Sequence, residues 1–453
     1  MTTSQELISD LRDCRERLLW LVDDLHDDQL VVPRIDIVNP PVWEIGHVAY
    51  FQEFWTLRRL AGRPSILESS DRWYDSARVA HDPRWDLDLP SRSETLRYMR
   101  DVLECVVERL RARVPDENDD YFHRLAMLHE DMHAEAFVYT RQTLGYAPPR
   151  IEPPYDSSAH SHGFGPCPGD VEVPGGVFHL GAAFPDVESH GADPRNAGPG
   201  GAFVFDNEKW AHPRHLAAFR IARAAVTQGE FAEFVDAGGY RCDSCWSDAG
   251  RRWRDTVGAG HPVHWRRDGH GRWLRVHFDR AVPLEEHRPV LHVSWYEAEA
   301  FCAFHGRRLP TELEWEAAAA GERDARGELS TRKRRYPWGD EAPTADRAHL
   351  AHTSRGAPDR TCDVGAFALG DSAFGCRQMI GNVWEWTASD FRPYPGFVRD
   401  PYAEYSEPWF GTHKVLRGGT FTTRPRLVHN TWRNFYTPDR RDVLAGFRTC
   451  ALR

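Results

Sequence analysis

Apolar residues in the first third of the chain recur every three or four positions. Leu7, Leu11, Cys14, Leu18, Leu21 and Leu25 form one such stripe, the spacing of a helix with one buried face. Pro40-Pro41 opens a second helix carrying Trp43, Ile45, His47 and Phe51, since proline is tolerated at the first helical position. Ser91 and Glu94 have the spacing of a capping box. They precede a third stripe of Leu96, Met99, Leu103, Val106 and Leu110, which Pro115 ends. A fourth helix is predicted from about Asn118 to Leu144, with Leu125, Leu128, Met132, Ala136 and Tyr139 in phase and Gly145 as its C-cap. Four amphipathic helices of this length predict an antiparallel bundle over residues 1–147.

Beyond residue 147 the periodicity disappears. Residues 148–169 are rich in Pro, Gly, Ser and His and read as a linker. From 170 to 453, short strand-like runs alternate with long loops rich in Gly, Pro and Trp. Helical pieces are predicted at Thr227–Ala237, at Ser294–His305, and after Leu309-Pro310-Thr311, where Thr311 and Glu314 repeat the capping signal. The fold class expected is an α+β multidomain protein, a helical bundle followed by a domain dominated by irregular structure.

Composition narrows the function classes. The 453 residues suit two or three domains. With 57 basic and 68 acidic residues the net charge is 57 minus 68, or −11, which argues against nucleic acid as a partner. The first twenty residues show no basic stretch leading into an apolar run, and no segment approaches eighteen apolar residues. A cytoplasmic location without a membrane partner is therefore expected, and the nine scattered cysteines are expected to be mostly reduced thiols. Cys242-x-x-Cys245 lacks a second ligand pair, because His261 and His264 are poorly spaced for one, and it reads as two loop cysteines. His160 and His162, in the linker, read as solvated.

The chemistry concentrates in His129-Glu-Asp-Met-His133. Histidines at i and i+4 share one helix face, so both imidazoles can reach one ion. His47, on the second helix, would complete a three-nitrogen face and leave the remaining coordination positions open, which is a catalytic rather than a closed structural arrangement. The same letters match the zinc-peptidase pattern, with Glu130 as general base. The extended form of that pattern is absent, because Ala134-Glu135-Ala136-Phe137 follows directly.

The second half carries a set of longer motifs in order: Val173-Pro-Gly-Gly-Val-Phe, Arg288-Pro-Val-Leu-His-Val-Ser-Trp-Tyr-Glu-Ala, Gly306-Arg-Arg-Leu-Pro-Thr-Glu-Leu-Glu-Trp-Glu, Tyr336-Pro-Trp-Gly, Gly381-Asn-Val-Trp-Glu-Trp, Val415-Leu-Arg-Gly-Gly and Ala445-Gly-Phe-Arg. It resembles the formylglycine-generating-enzyme/sulfatase-modifying domain, a variant of the C-type lectin fold. The first half resembles the DinB-like bundle that holds a metal on three histidines. Their fusion resembles the non-haem-iron sulfoxide synthases of ergothioneine and ovothiol biosynthesis. The resemblance implies Fe(II) on His47, His129 and His133, O2 as co-substrate, and a bond formed between the imidazole of hercynine and a sulfur donor such as γ-glutamylcysteine or cysteine. It also implies a tyrosine that donates to the iron–oxygen species, here Tyr394, with Tyr402 and Tyr405 as alternatives. A calcium ion (Ca2+) near Asn382 is a further expectation of the lectin-like domain.

Two departures from that family's pattern matter. Met132 stands where ergothioneine-type synthases carry glutamine before the second histidine of the pair. The family's Arg-Asn-Trp-Asp-Tyr-Pro-x-Arg-Arg reads here Arg433-Asn434-Phe435-Tyr436-Thr437-Pro438-Asp439-Arg440-Arg441. The residue that would hold the donor's ammonium group is thus Tyr436 rather than aspartate, whereas Asn434, suited to the betaine end of hercynine beside Phe435, is kept. A phenol cannot replace a carboxylate paired with an ammonium. With the Tyr74–Asp86 stretch, these changes resemble the selenoneine-synthase branch. That resemblance implies a selenosugar as the donor, a selenoxide product that collapses to selenoneine, and a substrate-binding set of Met132, Asn434, Phe435, Tyr436 and Arg440.

Overall fold

The computed structural model describes residues 2–149, 164–183, 203–351 and 359–452. His160 and His162 lie outside these. The chain divides into two compact units, the first built from residues 1–141 with two short later segments, and the second holding most of the remainder. Among the described residues, no helix is long and apolar enough to cross a membrane.

The first unit consists of α1 (Ser4–Trp20), α2 (Pro41–Gln52), a short α3 (Ser70–Tyr74), α4 (Arg92–Ala112) and α5 (Glu117–Leu144). The sequence signals act where their chemistry predicts. Pro41 opens α2. Ser91 accepts the Glu94 N–H while Glu94 reaches back to the Ser91 N–H, at 2.9 Å. Such caps contribute about 1 kcal/mol each. Leu7, Leu11, Leu18, Met99, Val102, Val106, Leu110, Leu125 and Leu128 form the apolar interior. The inner face of α4 is turned from the predicted one: Leu96 and Leu103 are only partly buried, while Thr95, Tyr98 and Val102 point inward. The reason is polar. Tyr98 donates its hydroxyl to Glu53, a fully buried carboxylate in the wider π-helical segment Glu53–Arg59 that continues α2.

Among the described residues the second unit holds four small sheets. A four-stranded sheet has the order β1 (Asp170–Val173), β4 (Phe219–Ala222), β13 (Cys450–Ala451), β8 (Arg307–Arg308), and a hairpin pairs β2 (Gly176–Leu180) with β3 (His212–Leu216). A meander runs β5 (Trp265–Arg267), β6 (Trp273–His277), β7 (Arg280–Pro283). The last sheet has the order β11 (Asn434–Tyr436), β10 (Lys414–Arg417), β9 (Trp384–Asp390), β12 (Ala445–Gly446). The predicted helices appear as α6 (Gln228–Asp236), α8 (Trp295–Phe304) and α9 (Glu312–Ala320), each with its capping box. A further helix, α7 (Asp248–Val257), was not predicted: its apolar stripe is short, only Ala249, Trp253 and Val257 among Arg251, Arg252 and Arg254, although Ser247 at its N-cap and Gly258 at its C-cap marked it.

The long motifs of this unit are structural. Arg448 forks onto Glu385 at 2.6 and 2.7 Å, and Trp315 donates to the same carboxylate at 2.7 Å. Arg417, fully buried, reaches Glu316 at 2.8 Å. Trp384 and Trp386 are core residues. After Arg417 the chain turns at Gly418, with φ +102°, where a Cβ would meet the Met379 carbonyl oxygen at 2.7 Å. These buried charges are paired and hydrogen-bonded, as burial requires.

One expectation is corrected here. Cys242 and Cys245, read as ordinary loop cysteines, form a disulfide, their Cα atoms 5.5 Å apart, a separation that a bridge spans without moving the backbone. The other seven cysteines are free thiols. Near Asn382 the amide oxygen accepts the Cys362 N–H at 3.0 Å, and its NH2 donates to the Cys362 carbonyl and to Gln378.

Candidate metal centre

Helices α2 and α5 bring His47, His129 and His133 together, one ligand atom of each lying within 4.8 Å of the others. Among the described residues, no other group of three His, Cys, Asp or Glu side chains converges this way. The ring of His47 lies 5.1 Å from each of the other two.

The orientation of the rings is set by what each back nitrogen does. His47 Nδ1 lies 2.8 Å from the Tyr74 carbonyl. A carbonyl only accepts, so Nδ1 carries the proton and Nε2 a lone pair. His133 Nδ1 lies 2.6 Å from Glu44, which fixes the same tautomer and holds the ring orientation, as carboxylate–histidine pairs do at metal sites. The Nε2 atoms of His129 and His133 stand 3.3 Å apart. Burial, with the neighbouring His133 adding to it, depresses the pKa of His47 to about 3 and that of His129 well below its ordinary value. Both are therefore neutral imidazoles at working pH, able to act as ligands. Three neutral imidazoles suit a borderline divalent ion with open positions.

The walls are aromatic. His129 stacks on Phe51 at 3.6 Å, and His47 on Trp43 at 4.8 Å. The Arg84 guanidinium lies 3.8 Å over the other partner in that stack, Trp43, whose indole donates to the Trp73 carbonyl at 2.6 Å. The Tyr74–Asp86 stretch thus supports the metal face through the Tyr74 carbonyl and Arg84. Gly46 is required beside it, because a Cβ there would fall 2.2 Å from the Tyr74 ring. Glu44, Gly46 and Tyr74 were not found from the sequence. Glu44 is 89 residues from His133, and only the fold joins them.

Glu130 is not a general base. It forks onto Arg15 at 2.7 and 3.1 Å, 1% exposed, and Arg15 also bonds Gln52 and the Met99 carbonyl. The zinc-peptidase reading loses its catalytic carboxylate. Met132, partly buried, shares the α5 face of His129 and His133.

The remaining expected site residues lie in the second unit. Tyr394 is 6% exposed, in the core between His212 and Arg433. Its hydroxyl lies 3.3 Å from Arg417 and 3.4 Å from Glu312, and burial pushes its pKa well above the ordinary phenol value. It is a neutral phenol in the resting protein. Asn434 accepts the Phe435 N–H at 2.8 Å, and Phe435 stacks on Phe391 at 4.0 Å. Strand alternation turns Phe435 away from Asn434 and Tyr436, which share a face. Arg440 lies 5.1 Å over the Tyr436 ring and forks onto Asp442 at 2.5 and 2.6 Å. Tyr402 and Tyr405 stand 6.0 Å apart.

Comparison with known proteins agrees with this two-part architecture. Residues 10–140 match the DinB superfamily, and residues 157–452 match the sulfatase-modifying factor enzyme 1-like domain. The chain is 38% identical to the hercynine oxygenase of Mycolicibacterium thermoresistibile, over 98% of this chain and 94% of that one. It is 37% identical to the hercynine oxygenase of Mycobacterium tuberculosis, over 99% of each. A formylglycine-generating enzyme of Streptomyces coelicolor is 30% identical over 62% of this chain and 88% of that one. In the second unit the free thiols Cys302, Cys376 and Cys450 are buried and Cys362 is partly buried. Burial raises the pKa of all four, so none of these four is an activated thiolate.

Proposed function

This chain belongs to the hercynine oxygenase family, and from that premise we propose that it is a mononuclear non-haem iron(II) enzyme that uses O2 to join hercynine to a selenosugar on the way to selenoneine. The observation that carries the metal half of the proposal is the convergence of His47, His129 and His133 with back nitrogens occupied at His47 and His133. Their donor set fits a divalent iron. When bound, the metal supplies the redox chemistry that couples O2 to bond formation. The step balances as follows. The imidazole C–H and selenol Se–H bonds break, a C–Se and an Se=O bond form, and the second oxygen atom leaves as water, so four substrate electrons reduce one O2.

The chain's own residues prepare that step. Glu44 and the Tyr74 carbonyl hold two ligand rings in one tautomer, and Phe51 and Trp43 fix ring planes, so little reorganisation is needed on binding. In the first unit Met132 would face the hercynine imidazole. In the second, Asn434 would meet its betaine end, Phe435, on the opposite strand face, would act only through its stack on Phe391, and Tyr394, as a protonated phenol, would donate a proton. Tyr436 and Arg440 would meet the donor. Tyr436 in place of an acidic residue supports a donor without an ammonium group, and the neighbouring Asp442 is paired with Arg440.

The second reading is an ergothioneine-type sulfoxide synthase that couples hercynine to γ-glutamylcysteine or cysteine. The full-length identity to two hercynine oxygenases favours it. One experiment separates the two. The protein is reconstituted anaerobically with iron(II), then exposed to air with hercynine and equal selenosugar and γ-glutamylcysteine, and products are read by mass spectrometry. A selenium-bearing product is expected. A sulfoxide as the main product overturns the selenium assignment, and no hercynine-derived product overturns both.

A further inference from the structure

The turn Phe205–Lys209 drew no attention as sequence, yet it touches two elements that carry expected site residues. One is the 400–406 loop, with Tyr402 and Tyr405. The other is the segment 429–433 that leads into β11. Toward the loop, Asp206 accepts the Ser406 hydroxyl and the Asp400 N–H, the latter at 3.3 Å. Asn207 donates to Ser406 at 3.0 Å, and Lys209 grips Asp400 at 2.7 and 3.0 Å. The Phe205 ring stacks on Tyr405 at 4.4 Å. Toward β11, Glu208 meets His429 at 2.7 Å and Thr431 at 2.9 Å, and the Asn207 carbonyl accepts from Arg433 at 2.7 Å.

Asp206, Asn207, Glu208, Ser406 and Arg433 are all at most 2% exposed. An apolar contact between loop and strand would tolerate sliding. A polar one with many hydrogen bonds favours a single separation and orientation, because each bond is directional. The two held elements meet at Tyr405, whose ring lies 5.7 Å from Phe435 in an edge-on contact. Arg433 extends the same network to a further expected site residue, lying 4.2 Å over the Tyr394 ring.

We infer that the turn Phe205–Lys209 is a positioning bracket: Asp206 and Asn207 set the spacing of the 400–406 loop against β11 and so shape the surface where the organic substrate is recognised. The identity of that substrate as hercynine rests on the function proposed above; the bracket itself does not. None of the turn's residues touches substrate. They act through Ser406, Asp400 and Arg433.

The test pairs Asp206→Ala with the milder Ser406→Ala in the full-length, iron-loaded protein. Hydrogen–deuterium exchange is followed in peptides covering 400–406 and 429–436, and steady-state kinetics are measured with hercynine. The bracket predicts faster exchange in both peptides for Asp206→Ala, with the first-unit helices unchanged. It also predicts a hercynine KM raised about tenfold with kcat held within about threefold, the signature of lost binding geometry rather than lost chemistry. Ser406→Ala should move the same quantities by less. Unchanged exchange in the 429–436 peptide, or a fall in kcat at constant KM that tracks the loss of folded protein, overturns the inference. If the wild type turns over no hercynine, the proposed function fails and exchange alone decides the bracket, since coupled acceleration of the two peptides requires no substrate.

Discussion

Two trios of buried or partly buried histidine distinguish the two units of this protein. In the helical unit, His47, His129 and His133 converge to within 4.8 Å. In the second unit His264, His277 and His292 line one small cavity of about 30 Å³, and there each ring is differently engaged. His277 is tied to Asp359 at 3.2 Å, His292 to the Asp442 carbonyl at 3.0 Å, and His264 meets His292 edge-on at 4.8 Å. Burial depresses the pKa of all three, as it does for His47 and His129. A shifted pKa therefore does not mark the metal site. What separates the trios is the backbone beneath them. An α-helix repeats its direction every four residues and aims two rings at one point, whereas the second trio hangs from β6 and two loops with no shared period.

The sharpest way to break this comparison is to delete a ring from each trio. His129→Ala and His133→Ala are expected to abolish stoichiometric iron binding and lower turnover about a thousandfold or more, because two remaining ligands do not hold the ion in an open three-nitrogen face. His264→Ala and His277→Ala are expected to leave iron content unchanged. Metal analysis of the purified variants decides it, and iron lost from the second set would show that convergence in space is not what defines the site.

Next in size is the carboxylate inside the motif. If Glu130 serves structure, Glu130→Ala strands the buried Arg15 charge and should cost about 3–5 kcal/mol of unfolding free energy. The loss would be read in denaturant titration. A zinc-peptidase base would show the reverse, a stable protein without activity. Glu44→Gln should act more gently. It keeps an acceptor for the His133 N–H but removes its charge, and weakening of iron affinity by about tenfold to a hundredfold is expected, measured by competition with a chelator. An unchanged affinity would mean that Glu44 serves only to pack α2.

How much of this was visible in the chain follows the same division. The four helices and the His129–His133 pair are local patterns with a fixed period, and the capping pairs Ser91–Glu94 and Thr311–Glu314 mark helix starts directly. The supports of the metal face were hidden, because Glu44 meets His133 and Tyr74 meets His47 only through tertiary packing. Gly46 reads as a helix weakness until the Tyr74 ring is placed against it. In the second unit the long motifs identified the fold, but Arg417–Glu316 and Arg448–Glu385 show why they could not identify a site: their polar residues are consumed in holding loops together. The α4 face was misread for a related reason, since a tyrosine that needs a buried carboxylate turns the helix more effectively than two leucines do.

The smallest predicted effect tests whether the second trio is only a burden on stability. His264 falls to about 4 from an ordinary imidazole value, chiefly through burial. Its unfolded-state pKa is near 6.5, so between about pH 6.5 and 4 the unfolded chain binds a proton that the folded one does not. Stability is then full above pH 6.5 and is lost as pH falls through that window. His264 is only partly buried by surface area, which screens the effect, and about 1 kcal/mol is a reasonable size. His264→Gln should flatten the decline in unfolding free energy between pH 7 and pH 5 by that amount, leaving the pH 7 value nearly unchanged. Urea titrations at the two pH values, with metal removed by chelator from both proteins, isolate this group from the metal trio. An equal decline in wild type and variant would assign the acid sensitivity of the second unit elsewhere, to His292 in its fully buried setting or to carboxylates such as Asp359 whose ion pairs fail at lower pH.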